Sequence, residues 1–385
     1  MIYLDNAGTT FPKPAEVSES VYQYMTQNGS NISRGSYQNA YMTEELVYDT
    51  RSLLCELFDA EDCKNVIFTK NVTESINFLL KGFLHPGDHI LISSMEHNCV
   101  MRPLTQLEKI GVSYSLIPCE KDGSIILSAI EPLIHAHTKA LLCTHASNVC
   151  GTVLPLEKIG EICQNHKLRF FVDSAQTAGI LPISMKQMHI DALAFTGHKG
   201  LLGPQGIGGF ILKEDMIELI DPLLSGGSGS FSDSTQIPPL MPDRFEAGTL
   251  NLPGIIGLHA GLTWIQKTGM ETIYRHELAL TEQFLAGLSK LEENGLITII
   301  GKKDLQERVG VVSIQIPNMD IAQAAFLLDE NHQIMTRVGL HCAPIAHQTL
   351  GTFPTGTLRF SFGYWNSQTD IAETLSALET ICHGI

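Results

Sequence analysis

The chain has 385 residues, 44% of them hydrophobic and 17% charged, with a formal net charge of −16. That length and apolar content can support a large domain plus a smaller one, and they exclude a disordered polymer. The acidic balance, with no cluster of Lys and Arg, speaks against nucleic acid or an anionic membrane surface as a partner.

The opening residues, MIYLDNAGTT, carry no basic stretch followed by an apolar one. No run approaches the roughly 18 apolar residues of a membrane span, so the expected compartment is the cytoplasm, with no membrane partner. From about residue 66, short apolar runs alternate with amphipathic stretches. NVIFT, DHILISS, VSYSLIPC, KALLCTHAS, LRFFVDS, DALAFTG and IGGFILK read as strands. ESINFLLKGFL and LEKIGEICQNHK repeat their apolar positions every three or four residues, as helices do. This rhythm predicts an α/β fold with a mainly parallel sheet covered by helices on both faces, and a ligand at the carboxyl ends of the strands.

GGSGSFSDSTQIPPLMPDRFEAGT breaks the rhythm and reads as a long loop. A helical region follows from Pro253, and LITIIG, VGVVSIQIP and TLRFSFG then alternate with helical stretches. The predicted division is a large domain over 16–260 and a smaller C-terminal α/β domain over 261–385, with 1–15 packing against the latter. The nine cysteines are odd in number and form no CxxC pair. Most should be buried small hydrophobes rather than disulfide partners. HCAPIAH, LIHAH and CTH lack zinc-site spacing, so no metal is expected.

One lysine stands out. DALAFTGHKGLLGPQGIGGF delivers Lys199 from an apolar run into a Gly-rich turn, and an extended backbone would put Thr196 and His198 on one face beside it. Asp173 ends the run LRFFVD, one connection and one strand earlier. An acid there can cap a helix, and a lysine on a Gly-rich loop can be mere surface. An amine and a carboxylate on adjacent strand ends also fit pyridoxal phosphate, where the lysine forms the Schiff base and the acid keeps the ring nitrogen protonated. Val72 and Thr73 start a helix, whose free N–H groups favour a phosphate. Gln176 could reach the ring hydroxyl, and His97 follows another strand where an imidazole could lie over the ring.

The motifs YLDNAGTTFPKP, TKNVTESIN, MEHNCV, SNVCGTV, VDSAQTAG, TGHKGLLGPQGIGG, FEAGTLNLPGIIGL, RVGLHCAP and LRFSFGYWN cover nearly the whole chain. In that order they resemble the class V aminotransferase branch of fold-type I pyridoxal phosphate enzymes, and most of all the cysteine desulfurases. The resemblance implies that Lys199 carries the cofactor, Asp173 and Gln176 hold its ring, and His97 stacks on it. Asn148 would lie beside ring and substrate, and Thr73, Thr196 and His198 would bind phosphate. Thr249 of FEAGT would reach the phosphate of a second subunit, which implies a homodimer. Cys342 and Arg359 are 17 residues apart. That short interval resembles the compact-loop group of Suf-type desulfurases and selenocysteine lyases. EHNCV departs from the family pattern at Cys99 and Val100, as does the stretch after Cys342.

A free thiol has a pKa of about 8.5, and the thiolate is the nucleophile. The Pro- and Gly-containing surroundings of Cys342 predict an exposed loop, while Arg359 in a pocket would match a substrate carboxylate. The expected reaction converts L-cysteine to L-alanine, leaves a persulfide on Cys342, and passes that sulfur to a thiol acceptor protein. The alternatives are a selenocysteine lyase acting on L-selenocysteine, and an aminotransferase or β-eliminating lyase in which Cys342 is not catalytic.

Overall fold

The apolar runs become the strands of one sheet. After a short strand β1 (Ile2–Tyr3), the chain forms helices α1 (Ala15–Gln23) and α2 (Gln38–Leu57). It then alternates through β2 (Val66–Thr69), α3 (Val72–Phe83), β3 (His89–Ser93), α4 (Asn98–Leu107), β4 (Ser113–Ile117) and β5 (Thr138–Thr144). Helix α5 (Leu156–Asn165), β6 (Arg169–Asp173), β7 (Ala192–Thr196) and β8 (Gly208–Leu212) complete the series. The computed structural model describes residues 1–32 and 35–384. Strand order is β2-β8-β7-β6-β5-β3-β4.

The central strands are buried along nearly their whole length, apart from Lys139 and Arg169 near their starts, because both faces are covered. Side chains alternate between two cores as the pleat requires. Leu141, Phe170, Val172, Leu193 and Phe195 face one core. Their neighbours Leu142, Phe171, Ala192 and Ala194 face the other. Strand β8 departs from the parallel rhythm, running antiparallel to β2 and β7. The connection from Gly197 to Ile207 holds no helix, and a parallel return needs a crossover of a dozen or so residues.

Helices α6 (Leu252–Thr268) and α7 (Met270–Glu293) lead to a second layer. It contains β9 (Thr298–Ile300), β10 (Val311–Gln315), α8 (Ile321–His332), β11 (Ile334–Met335), β12 (Arg337–Gly339), α9 (Pro344–Leu350), β13 (Thr357–Ser361) and α10 (Gln368–His383). Here the sheet, ordered β12-β13-β10-β9, is antiparallel throughout. Apolar runs separated by long connections look the same whichever way a strand returns, so the sequence rhythm is silent on direction. Strand β1 pairs with β11, and Ile2 and Leu4 share a core with Phe284, Ile314 and Phe360. Among the described residues no helix is long and apolar enough to cross a membrane.

Candidate active site

Lys199 lies in the turn after β7, not on an extended strand, so Thr196 and His198 do not share a strand face. Hydrogen bonds from Leu202 N–H to the Lys199 carbonyl, and from Gly203 N–H to the Gly197 carbonyl, both 2.8 Å, close the turn. Helix α6 presses onto it through Gly257 and Gly261. A Cβ on Gly261 would lie 2.6 Å from the Leu201 carbonyl, and one on Gly257 would lie 2.7 Å from the Pro204 ring. The Lys199 amine is lowered to about 8, first by burial, with Arg359 and Arg337 adding and Asp173 and Cys99 opposing.

Asp173 ends β6, which runs parallel to β7 with Asp173 opposite Ala194. Acid and lysine therefore emerge at the same end of neighbouring strands. Asp173 is buried. Its Oδ1 accepts the Ala175 N–H at 2.9 Å, the local capping bond that an acid at a strand end can make. Its Oδ2 accepts the Cys99 thiol at 3.3 Å. Burial, then the Asp173 charge, push the Cys99 pKa far above the ordinary thiol range, so Cys99 is a neutral S–H donor. The departure at EHNCV thus places a thiol directly on the carboxylate.

His97 is the N-cap of α4, its Nδ1 accepting the Cys99 N–H at 3.0 Å. Burial, with Lys199 and two arginines adding and Asp173 opposing, lowers it to about 4. It is a neutral ring protonated at Nε2. Beside it, Glu96 is raised to about 8, mainly by burial. Glu96 Oε1 accepts the Thr144 N–H at 2.9 Å and the Ser93 hydroxyl, which ties this turn to the end of β5.

An anion hole opens nearby. Val72 and Thr73 are the first two residues of α3, behind the N-cap Asn71. Gly208, opposite Thr196 across β7 and β8, packs on the Asn71 backbone. Thr196 Oγ1 and His198 Nδ1 are buried without a hydrogen-bond partner. Leaving two such groups unsatisfied is expensive, and a phosphate would satisfy both. The His198 ring is lowered to about 4 by burial, Lys199 and Lys13. Its carbonyl collects Lys13 Nζ at 2.5 Å, Thr9 Oγ1 and Thr10 N–H, both at 3.1 Å. Gln176 Nε2 reaches the Ala7 carbonyl at 3.2 Å. The residues fit pyridoxal phosphate.

The second layer supplies the opposite wall. Arg359 on β13 is 2% exposed. Its Nη1 donates to the Asn148 carbonyl at 3.0 Å and its Nη2 to Asp5 Oδ1 at 2.7 Å, while Nε has no partner. Asn148 Nδ2 donates in turn to the His341 carbonyl at 2.8 Å. Cys342 is exposed, and its carbonyl accepts the Asn98 N–H at 2.7 Å. His341 and Cys342 have φ of 46° and 56°, and Ala343 N–H bonds to the Leu340 carbonyl at 2.8 Å. This is the type I′ arrangement, usually filled by Asn-Gly. Each left-handed non-glycine costs on the order of 1 kcal/mol.

Thr249 stands apart. It is exposed and lines a cleft of about 750 Å³ with Arg51, Tyr48 and Glu246, none of them from the Lys199 cluster. Asp5, Lys13, Glu96, Asn98 and the Cys99 contact have no role in the sequence-based reading. Only Asp5 and Lys13, inside YLDNAGTTFPKP, and the EHNCV departure carried any signal.

A two-layer fold with a lysine, an acid and an anion hole at strand ends defines a pyridoxal phosphate enzyme of fold type I. The chain belongs to the aminotransferase class-V family, whose model matches residues 2–373. It is 33% identical to a "Probable cysteine desulfurase" of Pyrococcus abyssi, covering 100% of this chain and 95% of that protein. A protein of the same name from Methanothermobacter thermautotrophicus is 32% identical, covering 99% of this chain and 94% of its own. The apo structure of a cysteine desulfurase from Thermococcus onnurineus superposes with a TM-score of 0.93 at 33% identity, covering 100% of this chain and 95% of that one.

Proposed function

We propose that the protein is an L-cysteine desulfurase in which Cys342 takes the sulfur. Pyridoxal phosphate, the cofactor of this family, supplies an electron sink that weakens the substrate's Cβ–S bond. The chain's own residues do the rest. Lys199, with an amine near 8, would hold the cofactor and, as a neutral amine, take the substrate's Cα proton. Asp173 would keep the ring nitrogen protonated. His97, neutral and fixed as the N-cap of α4, would hold the ring together with Gln176 and Asn148. Val72, Thr73, Thr196 and His198 would take the phosphate. Arg359 has N–H groups to spare beyond Asp5 and Asn148 for a substrate carboxylate. The Cys342 thiolate attacks the substrate sulfur, the Cβ–S bond breaks toward carbon, and protonation there releases alanine. The persulfide then passes to a thiol acceptor protein.

The observation that carries this proposal is the exposed Cys342 held against the site through Asn98 and Asn148. An inert cysteine would be buried, as Cys99 and Cys143 are. Brief treatment with L-cysteine without reductant should add one sulfur to the Cys342 peptide, read by mass spectrometry. Cys342→Ala should keep cofactor and lose alanine formation, and Lys199→Ala should lose turnover with the fold intact. Keto acid in place of alanine would mean transamination. Undiminished desulfuration by Cys342→Ala would defeat the proposal.

The active form in this reading is a cytoplasmic homodimer in which Thr249 serves the partner's phosphate. Supporting it, Thr249 lies outside its own cluster. Tyr41, Met42 and Tyr48 on α2 are also exposed, along with Leu224, Phe231 and Leu240 of the long loop, an apolar surface of the kind that marks an interface. Residues 16–260 would act as the cofactor-binding unit, and 261–385 with 1–15 as the unit bringing Cys342 and Arg359 to it.

A further inference from the structure

We infer that His341 is a positioning residue for Cys342, fixing the sulfur-accepting turn through a one-way hydrogen-bond ladder that ends on the loop beside the cofactor site. The inference rests on the desulfurase reading.

The direction of the ladder follows from its last rung. The Val149 carbonyl can only accept, so Ser313 Oγ donates to it, at 2.6 Å. Ser313 has then used its single proton, and it accepts from Thr357 Oγ1 at 3.1 Å. Thr357 has likewise used its proton, so at 3.0 Å from His341 Nε2 its oxygen must be the acceptor. His341 is therefore protonated at Nε2 and carries a lone pair at Nδ1, which is buried without a partner. Burial, with Arg359, His347 and Arg337 adding, lowers the ring to about 2, so it stays neutral. A charged ring would need a second acceptor and none is offered.

Both ends of His341 return to the same place. Its ring reaches the Val149 carbonyl through Thr357 and Ser313, and its own carbonyl takes the Asn148 amide at 2.8 Å. The Asn148 carbonyl holds Arg359. One short loop, Asn148–Val149, thereby sets the register between the arginine that would bind the substrate carboxylate and the cysteine that would take its sulfur. The turn needs such a hold. Its two central residues are left-handed, and although histidine tolerates that region better than most side chains, cysteine gains nothing there. Without the ladder, the turn is free to relax and Cys342 loses its aim.

Three variants separate aim from turn propensity. His341→Asn suits a left-handed position but is too short to reach Thr357. Thr357→Val cuts the ladder without touching the turn. His341→Gln can place an N–H near the position of Nε2. Single-turnover persulfide formation on Cys342, with bound cofactor and melting temperature measured in parallel, is the readout. His341→Asn and Thr357→Val should form persulfide about tenfold to a hundredfold more slowly while holding wild-type amounts of cofactor, and His341→Gln should recover much of the rate. Wild-type rates in both His341→Asn and Thr357→Val would overturn the inference while leaving the desulfurase reading intact. Should His341→Asn melt early, Thr357→Val decides alone. Wild-type protein that never places sulfur on Cys342 would sink the desulfurase reading and this inference with it.

Discussion

Asp5 Oδ1 lies 2.7 Å from Arg359 Nη2 across 354 residues of chain, and Asp5 Oδ2 takes Arg337 at 3.2 Å. A carboxylate of the protein thus occupies part of the fork that would bind the substrate's. Asp5→Asn keeps an acceptor in place but removes its charge, leaving a nearly buried guanidinium uncompensated. Such a change typically costs a few kcal/mol of stability. It should lower the melting temperature and lower KM for L-cysteine, because the incoming carboxylate no longer shares the cation. A raised KM would mean that Asp5 acts mainly by orienting Arg359.

The Lys199 amine, held near 8 chiefly by burial, sets how fast the apoenzyme captures its cofactor. Roughly a tenth of it is neutral at pH 7 and about half at pH 8. Absorbance-monitored uptake of pyridoxal phosphate should therefore speed up about fivefold over that unit and level off above pH 9. In Asp173→Asn the midpoint should move down, since Asp173 opposes the shift. A midpoint close to 10.5, the ordinary lysine value, would contradict the desolvated amine.

Glu96 gives a stability signature. Its pKa is raised from 4.5 in the unfolded chain to about 8 in the fold, so between those values the native state holds a proton that the unfolded state has lost. Stability from this group therefore falls as pH rises through that window, by at most about 1.4 kcal/mol per pH unit. Glu96→Gln cannot ionise and should lack that fall. Urea midpoints across the window should show the wild type losing ground to the variant as pH increases, and parallel curves would place the Glu96 proton elsewhere.

Thiol accessibility separates the cysteines. Cys342 is exposed, whereas Cys99, Cys143, Cys150, Cys163 and Cys382 are buried, and burial pushes the Cys163 thiol far above the ordinary thiol range, which further inhibits it. Iodoacetamide on native protein should label Cys342 first and leave Cys99 untouched. Early labelling of Cys99 would mean that its contact with Asp173 opens readily.

Local chemistry in the sequence determined a large part of this protein. Apolar runs bounded by turn residues located the strands of the main sheet. Asp173 and Lys199 read as site residues at strand ends because one run visibly stops at Asp173 and the next just before Lys199, and Val72 and Thr73 read as a helix start because an amphipathic pattern begins there. These signals live within a few residues, where periodicity and turn propensity act. Tertiary structure decided what depends on partners brought from afar. It turned β8 antiparallel, because only the absence of a crossover helix reveals direction. It set Asp5 against Arg359, turned the Cys99 thiol toward Asp173, and bent His341 and Cys342 into left-handed positions that their own propensities would not choose. Neither a hydrogen bond between residues 354 apart nor the direction of a proton ladder leaves a period in the chain. Such features exist only once packing has removed water from the groups involved and left each donor a single place to go.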